Sequence, residues 1–395
     1  MVSKTALDER RIRLARRFRK QQSFAADTSP LAACLCGIVA DWLDWPSEDD
    51  EPATWLIEAS RDCSSFAVPM LLMAGLHREI LGGQSVMRPL AEFFPSVGGR
   101  RPVSATAIRP RLREAIVAHR QQLARFIQSA TVQTNETARG LCWLLPIFYP
   151  GWSAIHLVDL GCSAGLNLVA DQRHYRLQAE NAPQPDLNIG QGRPTQFILP
   201  WSGAFARPSR TAIPWILSRT GCDLHPFLLH TAHDELTLMS FVWGDQAHRL
   251  AMLRQGIAAL KEVETSDAPV RLLKANLPHD LPCFLARHMH VFGMTPVVVY
   301  NTYLTPYLEN KGTALGQDLE QWARARNHPV LWLQWEPPHQ GPKPSTLGWL
   351  GWTADLWSNG QHHHWLLAWV HPHGTAVQWL PGLGEWADFW KGQTG

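Results

Sequence analysis

The 395-residue chain reads as an α/β protein, with a mostly parallel sheet and a terminal antiparallel hairpin over residues 151–395 and a helical N-terminal domain over residues 1–150. Three observations lead there. An apolar run ends in Asp159 and turns at once through Gly161 and Gly165, as a strand does when it passes through a tight turn into a helix. After that turn, short apolar runs alternate with helical periodicity, the pattern of a parallel sheet. Before it, the apolar spacing is helical. Hydrophobic residues make up 45% of the chain and charged ones 18%, enough to bury a large core in more than one domain.

Each element follows from local chemistry. The basic run 9–20 carries Ile12, Leu14, Ala15 and Phe18 at helical spacing, which favours an amphipathic helix over a nucleic-acid arm. Ser29-Pro30 starts a helix with Leu31, Leu35, Ile38, Val39 and Leu43 on one face, proline being suited to the first helical position. Residues 46–52 form an acidic, proline-bounded loop, 66–81 a helix and 95–110 a long connection. Leu112, Ile116, Leu123 and Ile127 outline the next helix. Thr134 or Asn135 then caps another, with Glu136 in its first turn.

Residues 155–160 are the first strand, and the glycine turn after it opens a helix. Residues 213–217 lead into Cys222-Asp223, a second strand ending in an acid, and the proline- and glycine-rich stretch 180–208 is an insertion between the two. Asp245 begins a helix that places Leu250, Leu253, Ile257 and Leu260 on one face. Residues 270–273 are a short strand followed by Lys274-Ala275-Asn276, and 296–300 a buried strand followed by Asn301-Thr302-Tyr303. A helix over 315–326 precedes a strand over 330–335 and a proline-rich loop over 336–348. Runs 365–370 and 376–380 flank His371-Pro372-His373-Gly374 and form an antiparallel hairpin.

The turn after the first strand carries the chemistry. A dinucleotide fingerprint needs GxGxxG with an acid about 20 residues on. Here the pattern is DxGxxxG, with Ser163 where the middle glycine would stand. S-adenosylmethionine (SAM) enzymes of the Rossmann-like class use such an arrangement, with the strand-end acid meeting the methionine ammonium. The expected cofactor is therefore SAM, held by Asp159, Gly161, Ser163, Gly165 and Asn167, with Asp223 on the ribose and Asn276 on the adenine. Gln133 and Asn135 are candidates for substrate binding, because a polar helix start one element before Asp159 can reach the same end of the sheet. Asn301, Tyr303 and Glu136 are the catalytic candidates, the first two at a strand's C-terminal end, where ligands of open α/β sheets lie. His225 is a further candidate base. The competing reading of Asn135 is a plain helix cap, and of Glu136 a favourable charge at a helix start.

Other features exclude partners. A formal charge of +2 gives no reason to expect nucleic acid or an anionic membrane. No apolar stretch follows Arg10-Arg11, so neither an export signal nor a spanning helix is expected, and the cytoplasm is the expected location. The seven cysteines form no CxxC pair and read as reduced thiols, Cys162 filling the turn. His362, His363, His364, His371 and His373 lack an acid or cysteine at a recognised metal spacing, so no metal is expected. The nineteen tryptophans read as sheet packing.

The chain resembles the bacterial domain-of-unknown-function family 2332 over most of its length. The resemblance rests on Ser29-Pro30-Leu31, residues 132–136, the turn 159–168, Gly221-Cys222-Asp223-Leu224-His225-Pro226, and His371-Pro372-His373-Gly374 followed by Trp379-Leu380. Members look like Rossmann-fold SAM-dependent methyltransferases, so the resemblance implies a class I methyltransferase sheet and carries the acid and glycine roles onto Asp159, Gly161 and Gly165. The family often has an acid where this chain has Asn276, whose amide both donates and accepts. The expected activity is methyl transfer to an unidentified small molecule. A non-catalytic SAM or small-ligand binder is the alternative, and an NAD-dependent oxidoreductase a weaker one because of Ser163. Asn301-Thr302-Tyr303-Leu304 is only distantly similar to the NPPY-type signature of amino-group methyltransferases, since both prolines are missing.

Overall fold

The structure, a computed structural model, describes residues 4–45, 51–133, 135–180, 184–192, 197–289 and 294–393. They divide into two compact units, one of residues 1–134 with 229–254, the other of 135–228 with 255–395. The division is discontinuous, unlike the single boundary near residue 150 expected from the sequence.

The first unit is helical, with helices at Lys4–Ala25, Pro30–Asp44, Glu51–Ala59, Val68–Leu81, Ala105–Ser129 and Ala232–Ser240. Its apolar faces meet in one core that includes Leu14, Phe18, Leu35, Leu72, Phe93 and Ile116. Ser29 caps Pro30–Asp44 by accepting from the Ala32 amide at 3.2 Å, as the sequence predicts. Asp245, expected to begin a helix of its own, instead accepts from Leu31 N at 2.9 Å and from the Ser29 hydroxyl. The helix after it runs over Ala247–Glu264. Segment 229–254 belongs to this unit because Ala232–Ser240 packs on Val68–Leu81, where buried His77 bonds the Ser240 carbonyl at 3.2 Å. The expected connection 95–110 is shorter than its prolines suggested. The helix starts at Ala105 and holds Pro110 in its second turn, at the loss of one backbone donor. Residues 46–50 of the expected acidic loop lie outside the described residues, and Glu51 and Pro52 open a helix.

The second unit is built on one eleven-stranded sheet. In chain order its strands are β1 Ala154–Leu160, β2 Tyr175–Ala179, β3 Leu187–Ile189, β4 Ile198–Ser202, β5 Trp215–Asp223, β6 Val270–Lys274, β7 Val297–Thr302, β8 Val330–Glu336, β9 Leu350–Ser358, β10 Gln361–Val370 and β11 Val377–Trp379. Their spatial order is β3-β2-β4-β11-β10-β9-β8-β7-β1-β5-β6. From β6 through β5, β1 and β7 to β8 every pairing is parallel, and the chain order reverses between β1 and β7. That reversal is a switch point, where the connections leave in opposite directions and open a crevice beyond the strand ends. β9 is antiparallel to β8 and β10 antiparallel to β9, so the C-terminal end of β10 lies on the same edge as those of β7 and β8.

Both faces of the central strands are covered. Val158, Leu160, Val297, Val299, Val330 and Trp332 pack beneath helices Leu281–His288 and Thr313–Arg324. Tyr300, on the opposite face by strand alternation, lies 6.5 Å from Trp143, centroid to centroid. Double coverage explains the near-continuous apolar runs of β7 and β8.

Stretch 180–208, expected as an insertion, supplies β3 and β4, which extend the sheet with β2. Two expectations need correction. Residues 349–364 had no expected element, yet they hold β9 and the start of β10. β9 is buried on both faces, which erases the period-two signal. Finally, the glycine turn opens a 3-10 segment, Leu166–Gln172, kinked at Val169, rather than an α-helix. Arg219 on β5 holds that segment, donating to both Asp171 oxygens at 2.7 and 2.6 Å and to the Leu168 carbonyl.

Among the described residues, no helix is long and apolar enough to cross a membrane. The Asp171–Arg219 pair is buried, with side chains 2% and 5% exposed. Replacing Arg219 with Leu is expected to destabilise the protein by about 3–5 kcal/mol in urea denaturation, because it strands a buried carboxylate. A shift below ~1 kcal/mol would show that the pair does not hold the segment.

Candidate functional site

The turn after β1 is shaped by alternating left-handed residues. Gly161 has φ +83°, Ser163 +49° and Gly165 +71°. Asp223, ending the adjacent β5, fixes it: Oδ2 accepts from Ser163 N at 2.9 Å and Oδ1 from His225 N at 2.9 Å. A Cβ on Gly161 would sit 2.9 Å from Leu304 Cδ1, so glycine lets the β1 turn pack on the exit of β7. Gly165, expected to give a ligand room, faces the protein instead: a Cβ there would meet Leu272 Cδ2 at 2.8 Å. Cys162 is buried in the turn, and desolvation pushes its thiol well above the ordinary range, which suits a packed filler and not a thiolate.

Asp159 is 3% exposed. Its Oδ2 accepts from the Tyr300 hydroxyl at 2.8 Å, and Oδ1 accepts nothing among the described residues. Burial raises its pKa from 3.8 to about 7. The Tyr300 bond opposes the rise and the charge of Asp223 adds to it. The site therefore holds a buried acid with one open oxygen and no cation beside it among the described residues.

The exits of β7 and β8 are tied together by Glu336. Its carboxylate accepts from Asn301 Nδ2 at 2.7 Å, Leu304 N at 2.8 Å, Thr305 N at 3.1 Å and Thr305 Oγ1 at 2.7 Å. Desolvation raises its pKa while these donors pull it down. Asn301 Oδ1 accepts from Trp332 Nε1 at 2.7 Å, so both ends of that fully buried amide are engaged and it pegs the strand ends. Tyr303, the next residue but one, has φ +57°, an unusual conformation for a bulky side chain, and its amide donates to Trp335 O at 2.9 Å. Arg139 lies over its ring, 5.2 Å from guanidinium carbon to centroid.

Residues 136–139 dock beside the β10–β11 turn. Glu136 pairs with His373 at 3.2 Å, and Arg139 Nε donates to the Pro372 carbonyl at 3.0 Å. Asn135 and Glu136 precede a 3-10 turn, Thr137–Gly140, and not the expected α-helix, and Glu136 occupies the cap position without a side-chain cap bond. Thr134, the other expected cap, lies outside the described residues. Among the described residues, buried Asn135 Nδ2 and Asn167 Oδ1 have no hydrogen-bond partner, while the Asn167 carbonyl accepts from Trp143 Nε1 at 2.7 Å.

The expected residues thus distribute as follows. Asp159, Gly161, Ser163, Gly165 and Asp223 share the C-terminal ends of β1 and β5. Asn276 follows β6 on the same edge, exposed, its amide donating to Asp280 Oδ2 at 2.8 Å. Tyr303 and Asn301 end β7, and Glu136 is buried. Gln133 belongs to the other unit. Sequence reasoning missed Tyr300, Arg139 and Glu336. Two carried a readable signal, since Glu336 is an acid ending an apolar strand, as Asp159 is, and Arg139 is a single charge within an otherwise uncharged run, 137–149.

The conserved-family comparison fits this picture at the level of the whole chain. A family model described as an uncharacterized protein conserved in bacteria, domain-of-unknown-function family 2332, matches residues 15–379. The chain belongs to that family. The match spans both units, so the split helical unit and the sheet unit are features of a family 2332 protein taken together. No curated protein matches the chain.

Because the folded state of this family 2332 member raises the Asp159 pKa, it holds a proton there that the unfolded chain releases above about pH 4. Stability contributed by this group is therefore lost as pH rises from about 4 to about 7. Against an Asp159→Asn variant, the wild type should lose at most roughly 4 kcal/mol across that window in chemical denaturation. Parallel pH profiles for the two proteins would show that Asp159 is not the buried, uncompensated acid described.

Proposed function

We propose that this protein is a SAM-dependent methyltransferase acting on a small molecule. The observation that carries the reading is Asp159, a buried carboxylate with an open oxygen at the end of β1, beside the switch point. An acid held near neutrality by burial regains its ordinary ionisation when a cation arrives, and the methionine ammonium is such a cation. The sheet supports the same reading. The parallel order third-second-first-fourth-fifth is followed by an antiparallel strand, β9, whereas a six-stranded dinucleotide sheet continues in parallel. The sheet departs from a class I methyltransferase sheet by extending through β11, β4, β2 and β3 beyond β10.

In this reading Asp159 holds the ammonium, Asp223 the ribose and Asn276 the adenine, while the backbone of residues 161–165 lines the cofactor. Asp223 already accepts two backbone amides, one on each oxygen, and each oxygen keeps a lone pair for a hydroxyl. SAM supplies a methyl group already activated on sulfur. The chain's own part is to align the acceptor and exclude water, which needs no nucleophilic triad. Glu136, 3.2 Å from His373 Nδ1, is placed to take a proton from a hydroxyl or ammonium acceptor. Tyr303 is held by its backbone and by Arg139, so its ring orients the acceptor.

Calorimetry against SAM, S-adenosylhomocysteine and NAD tests the proposal. The two sulfur ligands should bind and NAD should not, and equal or tighter NAD binding would overturn the reading. SAM affinity should strengthen as pH rises through about 7, since ionised Asp159 is the binding form. Asp223→Ala should weaken SAM binding by roughly 1–3 kcal/mol. Release of S-adenosylhomocysteine in a cell extract separates an enzyme from a binder without turnover.

A further inference from the structure

Arg139 is 5% exposed, yet none of the described residues gives its charge a partner within ion-pair reach. Its one hydrogen bond among the described residues runs from Nε to the Pro372 carbonyl, at 3.0 Å. That bond anchors Nε, and the Tyr303 ring lies 5.2 Å from the guanidinium carbon. The terminal nitrogens Nη1 and Nη2 are left as a parallel pair of donors. Glu336 is the acid whose charge acts most on Arg139, yet it makes no ion pair with it, and both its oxygens accept from Asn301, Leu304 and Thr305. Burial lowers the Arg139 pKa to about 10, so the group stays charged at neutral pH.

A buried guanidinium without a direct ion-pair contact is costly, and an anionic ligand at its terminal nitrogens would offset that cost. We propose that Arg139 is a substrate-binding residue that takes a carboxylate end-on through Nη1 and Nη2, so that the acceptor is a small carboxylic acid with a flat apolar body. The flat body follows from the walls. The Tyr303 ring lies under the guanidinium, and exposed Tyr307 stands edge-on to that ring with centroids 6.4 Å apart, so the neighbouring surfaces are aromatic. The fork can take a carboxylate or a phosphate on two oxygens, but one guanidinium balances the single charge of a carboxylate and not the near-double charge of a phosphate monoester. The inference names the substrate class for the methyl-transfer site and rests on that site being open to a small molecule.

The test uses the full-length protein and benzoate, benzamide and inorganic phosphate as probes, read by saturation-transfer NMR and calorimetry. Benzoate should bind, and isosteric benzamide should bind at least roughly tenfold more weakly, the loss expected when a charge-assisted pair becomes a neutral contact. Arg139→Met should lose benzoate binding by a similar factor while its SAM titration stays at the wild-type value. Arg139→Lys should recover only part of the loss, since an ammonium has no fork. Equal affinity for benzoate and benzamide in the wild type would overturn the proposal without any variant, and so would unchanged benzoate binding in folded Arg139→Met. Phosphate displacing benzoate at equal concentration would overturn the carboxylate assignment. Benzoate binding in a protein that does not bind SAM would sink the methyltransferase reading and leave this one standing.

Discussion

The edge of the sheet that carries the candidate site depends on one repeated interaction, in which a carboxylate at the end of one strand ties down the turn that leaves its neighbour. Asp223 on β5 accepts the Ser163 amide from the turn after β1. Glu336 on β8 accepts the Leu304 and Thr305 amides after β7. Asp159 on β1 closes the row by accepting from Tyr300 on β7. Parallel strands end side by side, so their turns leave backbone amides unpaired at one edge, and a buried unpaired amide is costly. Acids at strand ends meet that need without water.

The lacing also permits unusual backbone. Ser163 and Tyr303 both have positive φ without being glycine, and both follow strands that flank the switch point. Each amide is held by the next strand over, Ser163 by Asp223 and Tyr303 by the Trp335 carbonyl. Such conformations persist only where the surroundings over-determine them, and they gather where a protein positions groups for a ligand. Asn301 shows the opposite use of a strand end. Its amide is consumed in holding β7 to β8.

Much of this was legible in the sequence. β1, β7 and β8 were found because doubly covered parallel strands are short apolar runs bounded by turn residues, β5 and β6 because each is a short run closed by polar residues, and the Asp159 and Asp223 strand ends because an acid after such a run is conspicuous. The losses have physical causes. β9 is buried on both faces yet contains Gly351 and Asp355, so neither alternation nor a clean apolar run marks it. The prolines that suggested an insertion lie around short strands paired with nearby β2 and, for β4, with β11, far away in sequence. Arg139 and Tyr300 act through partners more than a hundred residues distant, and no local pattern announces such pairs.

The eleven-stranded order ends in two unpaired borders, β3 and β6. Any open sheet can recruit a strand from another molecule through such a border. Here β3 offers only three residues, and β6 presents Arg271 and Lys274, both exposed, to an approaching chain. A second copy laid alongside β6 would bring like charges together in a newly dried ladder. Both borders of the wide sheet are thus poor templates for an added strand, one for its length and the other for its charge.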